Sequence, residues 1–289
     1  MLFRSILAVR FANRLFEPMW NTSNVQRIEI DVPETLGVED RAKFYESTGA
    51  YRDMVVTHLF QALGFVAMEP PAGFNAKDLH EGRYAVFAAL RPLDPARVVR
   101  GQYVGYRDLP DVADDSDVET MVAVEAFIDN DRWRGVPIYL RTGKRMAEGR
   151  RVITLTLREP AHAIFQTDGG VGPDRLVFEI GEPGSITVRF RAKQPGPDVI
   201  LGEATFVADF ADEFDVTKEL EAYERLLHDA MIGDATLFNS ARGIERLWEI
   251  SEPLLLDPPP VQPYEPGTWG PAAVEELTAP LGWYLPHER

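Results

Sequence analysis

A stretch bounded by Gly49 and by the pair Pro70 and Pro71 constrains this chain more than any other. Between them, Tyr51, Met54, Val55, Leu59, Ala62 and Val66 recur at helical spacing, and the prolines end the run because proline cannot continue a helix. So apolar a helix belongs in the core of a large domain. At about 100° per residue, Asp53 and His58 fall about 140° apart around its axis, which does not suit Asp53 to orient His58 by a hydrogen bond. A lone histidine on an apolar helix is more often a satisfied core residue than a catalyst. Asp53 reads equally as a first-turn carboxylate complementing the helix dipole, and Glu34, in the loop upstream, as a solvated charge.

With 289 residues the chain can bury a sizeable core, and its 45% hydrophobic and 26% charged residues are those of an ordinary globular protein. A formal charge of −16 argues against nucleic acid or an anionic membrane as partner, since both require a basic face. The absence of cysteine excludes disulfides, thiolate metal sites and a thiol nucleophile, and fits a reducing compartment. No apolar run approaches the roughly 20 residues of a membrane span. Arg4, Arg10 and Arg14 interrupt the apolar residues at the start, so residues 1–16 read as folded structure and the expected location is cytoplasmic.

In chain order, residues 5–20 read as a helix or helix-like segment, residues 24–32 as a strand with alternating Val25, Ile28, Ile30 and Val32, and residues 76–91 as a shorter helix. Gly101, Gly105, Pro110 and a run of aspartates make residues 98–117 a loop. The period then changes to two. Strands are expected at 118–128, 133–141, 152–158, 175–180, 186–192 and 204–210, followed by helices at 222–232 and 240–256 and a tail from Pro258. Consecutive strands with short links make the sheet mainly antiparallel, so the class is α+β, a large mostly antiparallel sheet with helices on one face and no Rossmann domain in this chain. The open face of such a sheet predicts a homo-oligomer.

There is no Walker motif, metal-ligand cluster or nucleophile elbow, and the Asp168–Pro173 glycine loop reads as a turn. One basic cluster stands out in this acidic chain, Arg141, Lys144, Arg145, Arg150 and Arg151 around a Thr142-Gly143 turn. It suits a phosphate or carboxylate as well as it suits a charged, solvated hairpin edge.

The segments LAVRFANRLFEPMWN (7–21), VPETLGVEDR (32–41), GAYRDMVVTHLFQ (49–61), GVPIYLRTGKRM (135–146), EAYERLLHDAMIGDATLF (221–238) and GTWGP (267–271) together resemble the C-terminal domain of glucose-6-phosphate dehydrogenase, in the same order and across nearly the whole chain. The resemblance implies one domain over residues 1–289, for substrate binding and oligomerisation, in an NADP-dependent oxidoreductase of glucose metabolism that turns glucose 6-phosphate into 6-phosphogluconolactone in the pentose phosphate pathway. It assigns His58, from the R-D-M-x-x-x-H motif, as the base that takes the proton from the sugar's C1 hydroxyl. Glu34 and Asp53 become ligands of sugar hydroxyls, and Lys144, from the R-x-G-K turn, lies near the sugar and its phosphate.

Two family motifs are not found in this sequence: the G-x-x-G-D-L loop of the coenzyme domain, and D-H-Y-L-G-K-E, which supplies phosphate ligands and the aspartate that pairs with the catalytic histidine. The chain alone is therefore expected not to complete catalysis, and a separate chain carrying the coenzyme domain is a candidate partner. Other departures fall in the binding region. Glu179 and Gly181 stand where many members have arginine and glutamine, Gly149 where a second basic residue is common, and Arg41–Glu46 replaces R-G-G-Y-Y-D. The alternative is a non-catalytic sugar-phosphate-binding or oligomerisation module.

Overall fold

The computed structural model describes residues 3–162, 164–165, 171–181, 183–215 and 220–284. Asp168, Gly169 and Gly170 of the glycine loop lie outside the described residues. Its strands are β1 (Val25–Pro33), β2 (Val98–Tyr103), β3 (Met121–Ala126), β4 (Ile138–Gly143), β5 (Val152–Leu157), β6 (Arg175–Glu179), β7 (Ser185–Lys193), β8 (Leu201–Asp209) and β9 (Val261–Tyr264). They form one sheet in the order β8-β7-β6-β5-β1-β4-β3-β2-β9, in which only β1–β4 and β2–β9 run parallel. The sheet is therefore mostly antiparallel, as the hairpin-like spacing of the strands requires.

The helices are α1 (Phe3–Phe11), α2 (Ala42–Ala50), α3 (Phe60–Ala67), α4 (Ala76–Ala89), α5 (Phe210–Glu213), α6 (Ala222–Met231), α7 (Ala241–Leu256) and α8 (Ala273–Thr278). α3 is the hub, with α1 and α4 against it and α7 against α4. Its C-terminal carbonyls, left without intrahelical partners, are collected by buried donors: Arg10 donates to Phe65, Val66 and Met68, Trp20 Nε1 to Val66 and Trp133 Nε1 to Ala67. One of the three arginines that interrupt the apolar residues at the start is thus a fully buried cap, and burial lowers its pKa to about 10 even with Glu17 beside it. The segment expected as one helix over 5–20 is α1 and a separate 3₁₀ turn at Glu17–Met19.

Two strands depart from the sequence reading. Gly101 makes residues 98–103 read as loop, yet they form β2, buried along nearly its whole length. The glycine is there for contact: a Cβ at 101 would come within 3.0 Å of the Tyr264 ring and 3.2 Å of Pro271. The tail after Pro258 contributes β9, which extends the sheet beside β2. It also crosses the face opposite β4's Ile138 and Leu140, where Trp283 lies over Arg141 and edge-on to Tyr139. Part of the face expected to be left open is thus closed by the chain's own tail. At the other end, β7 and β8 stay half-exposed, and Phe206, stacked on Phe190, is 67% exposed.

Candidate functional site

Parallel pairing of β1 and β4 places Pro33 opposite Gly143, so the next residue on each strand, Glu34 and Lys144, emerges at the same sheet end. Their side chains form an ion pair of 2.7 Å. The backbone here is held from several sides. Glu34 N–H donates to the Gly143 carbonyl, Lys144 N–H to the Thr120 carbonyl, and the Tyr264 hydroxyl to the Lys144 carbonyl at 2.6 Å. Gly267 N–H donates to the Arg145 carbonyl, so the tail clasps the turn that presents Lys144.

The helix that supplies Asp53 and His58 differs from the sequence expectation. α2 kinks at Gly49, where φ is 71°, and Tyr51–Leu59 then winds as a π-helix before α3 resumes α geometry. Hydrogen bonds of i→i+5 type widen the turn, so a residue five positions on returns near the side of the first. Asp53 and His58 are five apart, and the separation of about 140° expected for an α-helix is replaced by projection toward a common side. The Thr57 hydroxyl donates to the Asp53 carbonyl within this widened turn. Asp53 is half-buried and His58 exposed, and among the described residues the imidazole has no hydrogen-bond partner. The reading that Asp53 does not orient His58 by a hydrogen bond therefore stands, although its angular reason does not.

Tyr45 of α2 gathers the charged groups. Lys144 Nζ lies 6.0 Å from its ring centre. Its phenol is pushed well above the usual tyrosine range, first by burial and then by the negative charges of Asp53, Glu119 and Glu34 and by Tyr264. Lys144, paired with Glu34, thus lies over one buried aromatic ring, which sequence reasoning passes over. Its only signal there is an aromatic inside Arg41–Glu46, where the family pattern is altered.

The basic cluster does not act as a unit. Arg141 is fully buried and forks onto Asp31 at 2.8 and 2.6 Å, with Trp269 and Trp283 over its guanidinium, so it is closed to any ligand. Arg145 lies over Tyr103, and Arg150 pairs with Glu148 at 2.6 Å. Lys144 is the member that pairs with Glu34. Beside Glu34 opens a cleft of about 550 Å³ lined by Gly149, Arg150, Arg151, Glu179 and Gly181, so three of the positions that depart from the family pattern, Gly149, Glu179 and Gly181, lie together.

Residues 7–284 match the family model described as glucose-6-phosphate dehydrogenase, C-terminal domain. The chain belongs to this family. It is 39% identical over 282 residues to glucose-6-phosphate 1-dehydrogenase 1 of Mycobacterium tuberculosis, an alignment covering 96% of this chain and 59% of the relative. With the Zymomonas mobilis glucose-6-phosphate 1-dehydrogenase it shares 36% over 305 residues, covering 97% and 62%. The solved structure of the Mycobacterium avium enzyme superposes with a TM-score of 0.89 at 36% identity, over 99% of this chain and 62% of that one. A glucose-6-phosphate dehydrogenase solved in complex with its substrate glucose-6-phosphate gives 0.90 at 29% identity, over 99% and 61%. The chain spans about three-fifths of the length of these relatives. The mostly antiparallel α+β architecture is the family's.

Proposed function

We propose that this chain is the sugar-phosphate half of a cytoplasmic glucose-6-phosphate dehydrogenase, residues 1–289 acting as one domain beside a coenzyme domain on the same or a separate polypeptide. The observation that carries this is the ion pair of Glu34 with Lys144 beside the Tyr45 ring, with Asp53 and exposed His58 on the π-helix that follows α2. The carboxylates of Glu34 and Asp53 accept hydrogen bonds from sugar hydroxyls. Lys144 serves as a compact charge for the sugar and its phosphate, its ammonium held in place by Glu34 until ligand arrives. His58 takes the proton of the C1 hydroxyl as general base.

In that reaction NADP, when bound, accepts hydride from C1. The described residues hold no successive strand, glycine loop and helix to cradle its pyrophosphate, so they do not fit NADP, and their part in the reaction is confined to the sugar and the proton of its C1 hydroxyl. The second reading, a non-catalytic sugar-phosphate or oligomerisation module, draws its support from the lack of a hydrogen-bonded orienter on His58 among the described residues.

NMR tests the assignment of His58. Its imidazole C–H resonance, identified with His58→Gln, is expected to shift on adding glucose 6-phosphate and not on adding equal inorganic phosphate. An unmoved resonance in a chain saturated with ligand removes His58 from the site and leaves the module reading. We also infer a homo-oligomer through the half-exposed β7–β8 end of the sheet. Sedimentation should show an oligomer that Phe206→Asp converts to monomer, and a monomeric wild-type chain contradicts it.

A further inference from the structure

We propose that Glu119 is a positioning residue for this site, setting where the π-helix begins and hence where Asp53 and His58 project; the proposal rests on the sugar-phosphate reading above. Glu119 precedes β3 by two residues and is 6% exposed. Three separate contacts tie it to the kink at Gly49. Its carbonyl accepts the Ala50 N–H at 3.0 Å, its Oε1 accepts the Tyr51 N–H at 3.0 Å, and its carboxylate lies flat against Gly49, where a Cβ would come within 2.5 Å of Oε1. The helix N-terminus would otherwise bury donors without partners. Here a side chain 68 residues away in sequence fixes the first of them.

The carboxylate is itself held. Arg100 of β2 donates to Glu119 Oε2 from Nε at 3.1 Å and from Nη2 at 2.8 Å, and is anchored in turn on the carbonyls of Asp117 and Pro259. Oε2 is thus committed to the guanidinium and Oε1 to the helix. Tyr51, the residue so capped, donates its hydroxyl to Ser251 of α7 at 2.6 Å, which locks the first turn against rotation. The chain of restraint runs from β2 and α7 through Glu119 and Tyr51 to a helix whose widened turn brings Asp53 and His58 to one side. Glu119 also adds its charge to those of Asp53 and Glu34 in raising the Tyr45 phenol. Nothing in the spacing of Val118-Glu119-Thr120 distinguishes this glutamate from a strand-edge charge.

The test compares Glu119→Gln, Glu119→Asp and Glu119→Ala in the full 289-residue chain, measuring glucose 6-phosphate affinity, thermal midpoint and residue-resolved amide exchange. Glutamine keeps the reach and, with its amide oxygen turned to the helix, the acceptor for the Tyr51 N–H while its NH2 faces Arg100; aspartate keeps the charge for Arg100 but withdraws from the helix. Positioning therefore predicts that Gln stays within about threefold of wild-type affinity while Asp and Ala lose about tenfold or more, with faster exchange confined to residues 51–58. Asp binding better than Gln, exchange faster across the whole sheet, or unchanged affinity in folded Asp and Ala variants would each overturn it. If Ala does not fold, the Gln and Asp pair decides. If the wild-type chain does not bind glucose 6-phosphate, the sugar-phosphate reading falls, and the exchange pattern still decides whether Glu119 sets the helix.

Discussion

Glu34 and Lys144 are 110 residues apart in sequence and 2.7 Å apart in space, because the strands that precede them run parallel and end together. The pair is asymmetric: the lysine side chain is 10% exposed and the glutamate 33%. A buried ammonium with one exposed-side partner is stable at rest and still accessible through that partner, which is the arrangement a ligand carrying hydroxyls and a phosphate can enter.

Arg141 is structural and its removal is expected to be costly. It is fully buried, forked onto Asp31 and stacked by two tryptophans. Arg141→Ala leaves the Asp31 carboxylate buried without its partner and should destabilise the fold by about 3–5 kcal/mol in denaturant unfolding. A change below about 1 kcal/mol, with ligand affinity altered instead, would return Arg141 to the binding cluster.

Glu29 makes stability depend on pH. Burial raises its carboxyl from the ordinary 4.5 to about 7, outweighing Arg27 at 3.3 Å, the Tyr284 N–H and Arg175, while Asp31 adds to the rise. A carboxyl raised in the folded state contributes stability that is fully present below about 4.5 and is lost as pH rises through about 7. Relative to Glu29→Gln, which cannot ionise, the wild-type chain should lose stability between about pH 5 and 8 by on the order of 2–3 kcal/mol. Parallel pH profiles of the two proteins in urea unfolding would contradict this.

Gly49 is predicted to tolerate no side chain. Its φ of 71° disfavours any L residue, and a Cβ would collide with the Glu119 carboxylate. Gly49→Ala should cost on the order of 2 kcal/mol or more, measured as a shift of the urea midpoint.

The purified 289-residue chain is expected to reduce no NADP in the presence of glucose 6-phosphate, measured by absorbance at saturating coenzyme. Robust turnover would show that these residues hold the coenzyme after all.

Much of the fold is legible in the sequence. Alternating Val25, Ile28, Ile30 and Val32 locate β1, the proline pair locates the end of α3, and the motif strings supply Glu34, Asp53, His58 and Lys144 as site candidates, of which Glu34 and Lys144 meet in an ion pair. What the sequence hides has a common physical origin in long-range contact. Gly101 reads as a loop breaker until Tyr264 and Pro271 are seen against it, and residues 261–264 read as tail until they pair with β2. The π-helix hides for a similar reason, since its apolar residues also satisfy a 3.6-residue period and the widened turn emerges only with Gly49, Glu119 and Tyr51 assembled. Arg141 and Lys144 are three residues apart in one basic run and both buried, and only their partners separate them: Arg141 is forked onto Asp31 beneath two tryptophans, and Lys144 pairs with the more exposed Glu34.

Calorimetric titration of glucose 6-phosphate into the chain tests the central claim most directly, with Lys144→Ala and Asp53→Asn alongside. Saturable binding to the wild-type chain is expected, weakening by about tenfold or more in each variant, as the loss of a charged hydrogen bond requires. Flat heats from the folded wild-type chain, or binding indifferent to both substitutions, would contradict it.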